Sequence, residues 1–219
     1  MKNEVIQKII EEKIIVIVRN VEKAKIIPLV QAMHDGGIRL IEVTFSADGK
    51  ESDEAVAEKI SLISKSFEGE MTVGAGTVLT EAQVKLTHEA GGSFIISPDT
   101  NAEVIRETNE LGMVSIPGAF TPTEIQTAHR AGADFVKLFP VANIGAGYVK
   151  AVKAPLSHVR LLGVGGVDES NMEEYFKVGC CGFGIGTNIV DKEKIRNNNF
   201  AKIEELAKKY VMAIKKFQS

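Results

Sequence analysis

The chain has 219 residues, of which 44% are hydrophobic and 25% are charged, a composition that is typical of a folded globular protein and excludes intrinsic disorder. Its 26 lysines and arginines stand against 29 aspartates and glutamates, so a net charge of -3 provides no global positive field for nucleic acid or an anionic membrane. We therefore expect no nucleic-acid partner and no membrane partner, and an anionic ligand must be held by a local site.

The longest apolar runs, such as residues 14–18, are too short to cross a bilayer, and residues 1–4 do not open a signal peptide. The two cysteines, Cys180 and Cys181, are neighbours in sequence, where an ordinary disulfide is hard to close. Two thiols also speak against a structural zinc site. These features predict a cytoplasmic protein without a disulfide framework.

Eight runs rich in β-branched and apolar residues recur at intervals of roughly 20 to 30 residues, the length of a βα unit. Each run is almost continuously apolar, as expected for parallel strands that are covered on both faces. The predicted strands are Ile14–Arg19, Ile38–Phe45, Met71–Val78, Phe94–Pro98, Val114–Phe120, Phe135–Pro140, Val159–Gly166 and Gly182–Thr187.

Helical segments separate the predicted strands. Thr80, Thr121 and Ser170 each precede a Gln or Glu by three residues, which is the pattern of a capping box at a helix start. The spacing of apolar residues also predicts an extra helix over residues 3–12 and one long helix over residues 193–216. Glycines that precede the next strand mark the predicted helix ends, at Gly36, Gly37, Gly91, Gly92, Gly112, Gly132 and Gly179.

Strands that alternate with helices over this chain length favour a (β/α)8 TIM barrel, an α/β fold, here with an extra N-terminal helix. The alternative is an open doubly wound sheet. However, residues 19–22, which follow the first strand, lack the glycine-rich turn of a dinucleotide-binding unit. Because no linker or low-complexity tract is present, we expect residues 1–219 to form one domain.

Polar residues that interrupt or end the strands are the candidate functional residues, because a barrel of this kind places its active site at the C-terminal strand ends. Lys137 lies among aromatic and aliphatic neighbours, where poor solvation lowers the pKa of an amine. A neutral amine attacks carbonyl groups and forms a Schiff base. The alternative is a lysine whose ammonium reaches solvent or pairs with a carboxylate.

Glu42 is the second unusual residue, because a carboxylate within a barrel strand is costly unless it is paired. Near Lys137 it can act as a general acid/base, or it can form a structural salt bridge to Lys137 or Arg19. Arg19 ends the first strand and is either an anchor for a carboxylate or phosphate or a surface cation. Thr77 either donates its hydroxyl to a substrate carboxylate or is an ordinary strand-end threonine.

Glycine clusters at 163–166 and 182–187 end the last two predicted strands. Barrels frequently bind phosphate there through backbone N–H groups. These clusters make Gly165, Gly166, Gly186 and the adjacent Thr187 candidate phosphate ligands. The histidines lie away from the strand ends, so we predict no metal site.

Taken together, these residues resemble one family, the 2-keto-3-deoxy-6-phosphogluconate (KDPG) aldolases and their 2-keto-3-deoxy-6-phosphogalactonate and 4-hydroxy-2-oxoglutarate relatives. The matching segments are 36–44, 73–79, 94–98, 136–140 and 165–167, within a resemblance that runs from residue 14 to near residue 190. It implies a class I aldolase that needs no metal or cofactor and cleaves a phosphorylated six-carbon 2-keto acid to pyruvate and glyceraldehyde 3-phosphate. It further implies a homotrimer and leaves open the cleavage of 4-hydroxy-2-oxoglutarate.

By position, the resemblance assigns the Schiff base to Lys137 and the general acid/base role to Glu42. The residues that it assigns to substrate binding are Thr77 for the pyruvyl carboxylate, Pro98 and Phe139 for the pyruvyl pocket, and Gly165, Gly166 and Gly186 for the phosphate. Some members carry an arginine four residues after the glutamate, but that position is Ser46 here, so we expect Arg19 to anchor the carboxylate. Val164 replaces the threonine of gluconate-type members, as in the galactonate type, and the C4 epimer stays open.

Two other functions fit the same phosphate site. One is an epimerase or isomerase that abstracts a proton with Glu42, and the other is a phosphosugar-binding barrel without catalysis. Both differ from an aldolase because they leave Lys137 without a nucleophilic task.

Overall fold

The computed structural model describes residues 2–217, and its strands form one parallel sheet with the order β5-β4-β3-β2-β1-β9-β8-β7-β6. The strands are β1 Ile14–Val18, β2 Leu40–Thr44, β3 Thr72–Gly76, β4 Phe94–Ile96, β5 Val114–Ile116, β6 Gly118–Ala119, β7 Val136–Leu138, β8 Leu161–Val164 and β9 Cys180–Ile185. The helices are α1 Lys2–Glu12, α2 Lys23–Asp35, α3 Asp53–Ser66, α4 Glu81–Glu89, α5 Ala102–Glu110, α6 Pro122–Arg130, α7 Gly145–Lys153, α8 Met172–Lys177, α9 Lys192–Arg196 and α10 Phe200–Lys215.

The (β/α)8 barrel is confirmed, with one change in the fifth predicted strand. That strand is divided at Pro117 into β5, which pairs with β4, and β6, which pairs with β7. Proline has no N–H to donate to a neighbouring strand, while its carbonyl accepts a hydrogen bond from the Lys137 N–H at 2.8 Å. The chain therefore changes its pairing partner at Pro117 and joins the two ends of the sheet.

Two predicted helices differ from the structure. The segment 193–216 is not one helix, because it breaks at residues 197–199, and the Asn199 side chain accepts a hydrogen bond from the Lys202 N–H at the start of α10. Asparagine favours such caps over helix interiors because its side chain competes for backbone groups. Likewise Ser170 does not cap α8. Its hydroxyl donates to Asp168 at 2.5 Å, and the helix begins at Met172. The extra N-terminal helix is present as α1.

Alternate residues of the strands face two separate apolar cores. Val136 and Leu138 belong to the core between the barrel and its helices, whereas Phe135 belongs to the barrel interior. Ile6 and Ile9 of α1 pack against this interior at the N-terminal ends of the strands. The helix thereby closes one end of the barrel and leaves the other end open.

Across residues 2–217, none of the helices combines the length and the apolar character that a membrane span requires.

Candidate active site

A cavity of about 620 Å³ opens at the C-terminal ends of the strands. It is bounded by every site residue that the sequence predicts, namely Arg19, Glu42, Thr77, Pro98, Lys137, Phe139, Gly165, Gly166, Gly186 and Thr187. They come together because most of them follow directly after a strand, and parallel strands end at the same rim of the barrel.

Glu42 and Lys137 lie deeper, on β2 and β7, and the pattern of strand alternation turns both side chains inward. Lys137 is two residues after the interior residue Phe135, and Glu42 is two residues after the interior residue Leu40. Only 3% of Glu42 and 7% of Lys137 are exposed. The recess around them is otherwise apolar and is formed by Ile15, Ile17, Ile96, Ile116, Leu162, Val164 and Gly184.

Burial perturbs both groups in the direction of their neutral forms. It raises the pKa of Glu42, and the positive charges of Lys137 and Arg19 oppose that rise. It also lowers the pKa of Lys137, where the Glu42 carboxylate opposes the change and Arg19 reinforces it. Each pKa shift is therefore toward the neutral form of the group, and the opposite charge of the partner limits both shifts.

No salt bridge joins Glu42 to Lys137 or Arg19 in the part of the chain that the structure describes, and Glu42 Oε2 has no hydrogen-bond partner there. Glu42 therefore makes no direct ion pair with either cation, although the charges of Lys137 and Arg19 act on it. A buried carboxyl oxygen without a partner is unusual in proteins and indicates a group that interacts with a ligand. Both side chains border the same cavity, so a substrate can lie between them.

Gly76, at the end of β3, supports the position of Glu42. A Cβ atom at residue 76 would lie 2.6 Å from both Cδ and Oε2 of Glu42 and 2.9 Å from Oε1. The Glu42 carboxyl group therefore occupies the space that a side chain at residue 76 would fill. The next residue, Thr77, has a φ of +56°, a left-handed conformation that is uncommon outside glycine and is found at functional sites.

Arg19 and Thr77 meet at the rim of the cavity. The Arg19 guanidinium donates a hydrogen bond of 3.3 Å to the Thr77 hydroxyl, across β2, which lies between their strands in the sheet. Ser46 instead hydrogen-bonds to Asp48 at 2.7 Å and does not border the cavity. Arg19 is thus the cation on this side of the cavity, in a position to bind a carboxylate beside Thr77.

Phe139 and Pro98 form the apolar part of the rim. The Lys137 Nζ lies 4.8 Å from the centre of the Phe139 ring, whose own side chain is 39% exposed. The Pro98 backbone lies so close to β6 that a Cβ at Gly118 would lie 2.3 Å from the Pro98 carbonyl oxygen. An apolar wall of this kind limits the access of water to the amine.

The glycine loops after β8 and β9 present free hydrogen-bond donors. Within residues 2–217, the N–H groups of Gly165, Gly166, Gly186 and Thr187 donate to no other backbone group. Gly166 has a φ of +77°, and a Cβ there would lie 2.4 Å from Cβ of Ala142, so this position requires glycine. Such an arrangement of unpaired N–H groups can bind a phosphate or carboxylate.

Two lysines that the sequence analysis did not select also bear on the cavity. Lys192, the first residue of α9, borders it directly. Lys59 on α3 is buried, donates a hydrogen bond of 2.7 Å to the Val21 carbonyl and pairs with Glu51. It therefore ties the loop that carries Arg19 to the loop that follows β2. Neither lysine lies in a strand or directly after one, so a search for polar residues at strand ends does not find them.

Among residues 2–217, no three His, Cys, Asp or Glu side chains are grouped closely enough to hold a metal ion. The polar groups of the cavity are amine, guanidinium, carboxyl, hydroxyl, amide and backbone N–H groups.

Comparisons with known proteins agree with this geometry. Residues 5–206 match the sequence profile of a family described as "Aldolase: KDPG and KHG aldolase". A probable 2-dehydro-3-deoxy-6-phosphogalactonate aldolase from Rhizobium meliloti is 33% identical over 180 residues, which cover 82% of this chain and 82% of that protein. A 2-dehydro-3-deoxy-phosphogluconate aldolase from Haemophilus influenzae is 29% identical, with 97% of each chain covered.

A solved structure of KDPG aldolase from Legionella pneumophila superposes on this chain with a TM-score of 0.81 and 29% identity. The match covers 90% of this chain and 93% of that one. That structure contains pyruvate captured at low pH as a covalent carbinolamine intermediate.

Proposed function

Because the chain belongs to the KDPG and KHG aldolase family, we propose that Lys137 forms the Schiff base of its reaction and that Glu42 moves the protons. The enzyme is a carbon–carbon lyase that cleaves a 2-keto-3-deoxy-6-phospho sugar acid to pyruvate and glyceraldehyde 3-phosphate. No external cofactor takes part, because the covalent iminium is itself the electron sink. The observation that carries the assignment of roles is the buried, unpaired carboxyl of Glu42 in one cavity with the buried amine of Lys137.

The neutral forms of both groups fit the first half of the reaction. The Lys137 amine attacks the C2 ketone, and proton transfer from nitrogen to oxygen gives a neutral carbinolamine. Glu42 then donates its proton to the C2 hydroxyl, which leaves as water, and the nitrogen lone pair forms the iminium. The rise in the pKa of Glu42 that burial causes favours the protonated form that this step consumes.

The carboxylate left on Glu42 performs the second half. It removes the proton of the C4 hydroxyl, the C3–C4 bond breaks, and its electron pair moves into the iminium to give an enamine and the aldehyde. Protonated Glu42 returns that proton to C3. Water then adds to the iminium of pyruvate, passing a proton back to Glu42, and collapse of the carbinolamine releases pyruvate and the neutral Lys137 amine.

Binding at the two ends of the substrate positions the bond that breaks. We assign the substrate carboxylate to Arg19 and Thr77, the pyruvyl group to the wall formed by Pro98 and Phe139, and the phosphate to the loops that carry Gly165, Gly166, Gly186 and Thr187. The phosphate takes no part in bond breaking. Its binding energy orients the C3–C4 bond between Lys137 and Glu42 and thus lowers the barrier.

Reductive trapping tests these assignments. Incubation with pyruvate and borohydride should add a pyruvate-derived group to Lys137, detected by mass spectrometry of the peptide that contains it. Lys137→Met should remove both the adduct and turnover, whereas Lys150→Met, a substitution on the exposed face of α7, should retain both. An adduct on another lysine, or turnover by Lys137→Met, would contradict the assignment.

The substrate epimer is a separate question. Pyruvate release from the gluconate and galactonate epimers and from 4-hydroxy-2-oxoglutarate, measured with one enzyme preparation, ranks the substrates directly. A homotrimer, a cytoplasmic location and a single domain over residues 1–219 stay predictions, and the mass of the assembly in solution tests the first of them.

A further inference from the structure

The charges that border the cavity are unevenly distributed. Among residues 2–217, the basic side chains that border it are Arg19, Lys137 and Lys192, and the carboxyl group is that of Glu42. The local excess of positive charge contrasts with the chain's net charge of -3. The proposed reaction uses Lys137 and Glu42, and the carboxylate anchor uses Arg19, which leaves Lys192 without a function.

Lys192 is free to bind a ligand. Its side chain is exposed at the start of α9, and within residues 2–217 it makes no ion pair and no side-chain hydrogen bond. The nearby carboxyl group of Asp191 is occupied, since it accepts hydrogen bonds from the N–H groups of Glu193 and Lys194 at 2.8 Å and 3.0 Å. An exposed lysine ammonium without a partner beside a cavity can pair with an anion and keep part of its hydration shell.

The position of Lys192 matches one end of the substrate. It follows the β9 loop that contains Gly186 and Thr187, and β9 pairs with β8, whose loop contains Gly165 and Gly166. Arg19 follows β1, which is the other neighbour of β9 in the sheet, but its guanidinium points across β2 to the Thr77 hydroxyl after β3. The cavity therefore has one cation turned toward Thr77 and another, Lys192, on the segment that follows the glycine loop after β9.

We propose that Lys192 binds the distal phosphate of the substrate and determines the preference for phosphorylated over unphosphorylated 2-keto-3-deoxy sugar acids. The proposal rests on the proposed function and adds to it a residue outside the glycine loops. Backbone N–H groups hydrogen-bond a phosphate and also a neutral hydroxyl, whereas an ammonium favours the dianion by its full charge. Lys192 is thus the group at this end that discriminates most strongly by charge.

Lys192→Gln tests the proposal, and Lys194→Gln is the matched control. The control substitution removes the same charge from the same helix, but Lys194 does not border the cavity. We expect Lys192→Gln to raise KM for the phosphorylated substrate about tenfold, the effect of one lost charge-assisted hydrogen bond, and to change kcat/KM for the unphosphorylated acid less than about twofold. Calorimetry with inorganic phosphate should show weaker binding to Lys192→Gln than to Lys194→Gln.

The outcomes separate this proposal from the proposed function. Equal effects of Lys192→Gln on both substrates, or equal phosphate binding by the two variants, would overturn the role of Lys192 while wild-type enzyme still traps pyruvate on Lys137. Failure of wild-type enzyme to trap pyruvate would instead overturn the proposed function. Pyruvate trapping at the wild-type rate by Lys192→Gln supports a role confined to the distal end of the substrate.

Discussion

The contact between Gly76 and Glu42 predicts that one added methyl group will impair catalysis without unfolding the protein. In Gly76→Ala the new Cβ would lie 2.6 Å from two carboxyl atoms of Glu42. An ordinary contact between heavy atoms needs about 3.5 Å, so the carboxyl group must move by roughly 1 Å. A displacement of that size in a reacting group lowers kcat about 100-fold, or about 2.7 kcal/mol in the activation barrier.

Stability should change little in the same variant. The atoms that must move are the end of a flexible side chain, and the φ of Gly76 is outside the left-handed range, so alanine fits the backbone. Replacing glycine by alanine also removes conformational freedom from the unfolded chain, which contributes about 0.4–1 kcal/mol to stability. We therefore expect the thermal midpoint of Gly76→Ala to stay close to that of the wild type while turnover falls.

Steady-state cleavage of the phosphorylated substrate and thermal unfolding are the two assays. Gly147→Ala is the matched control, because a Cβ at this position in α7 meets no atom within 4 Å. That variant should gain up to about 1 kcal/mol of stability from the higher helix propensity of alanine and keep its kcat. Wild-type kcat in Gly76→Ala would refute the argument that the glycine provides the space for a catalytic carboxyl group.

Two further predictions concern the buried lysines. The lowered pKa of Lys137 costs stability below the ordinary lysine value of 10.5, because the unfolded chain holds a proton that the folded protein releases. Lys137→Met should therefore raise the thermal midpoint near pH 7, with a gain that shrinks as the pH rises toward 10.5; a gain that is independent of pH would contradict this cause. Lys59→Met leaves the Val21 carbonyl without its donor. It should lower the free energy of unfolding, measured by chemical denaturation, by about 1–3 kcal/mol. Because the same loop carries Arg19, the substitution should also raise the substrate KM. Unchanged stability and KM would show that the loop does not depend on Lys59.

The sequence predicted the barrel because its signals are local. Apolar runs, caps and glycines before strands each act within a few residues, and their alternation defines the fold class. The errors occurred where a local signal competed with periodicity. Apolar spacing continues across residues 197–199, so the break between α9 and α10 depends on the Asn199 side chain, which accepts a hydrogen bond from the Lys202 N–H. The division of the fifth strand depends on one missing N–H at Pro117.

The candidate site was predictable to the extent that it follows strand ends. Arg19, Thr77 and Phe139 each follow directly after a strand, so one rule places them on one rim. The space that Gly76 leaves for Glu42 exists because β2 and β3 are neighbours in the sheet. The pattern of residues along the chain does not show which strands are neighbours, so it could not predict this space. Likewise, the sequence around Lys192 does not distinguish it from any surface lysine, and only the three-dimensional structure shows that it borders the cavity.

Among residues 2–217, Ile6 and Ile9 of the N-terminal helix fill the end of the barrel interior that lies opposite the cavity. The cavity that Phe139 borders is thus the entrance to Lys137 that the structure describes. In the proposed reaction, the water that hydrolyses the pyruvate iminium enters by the passage that the aldehyde occupies. In that reaction glyceraldehyde 3-phosphate departs first, because pyruvate stays bound to Lys137 until water hydrolyses the iminium.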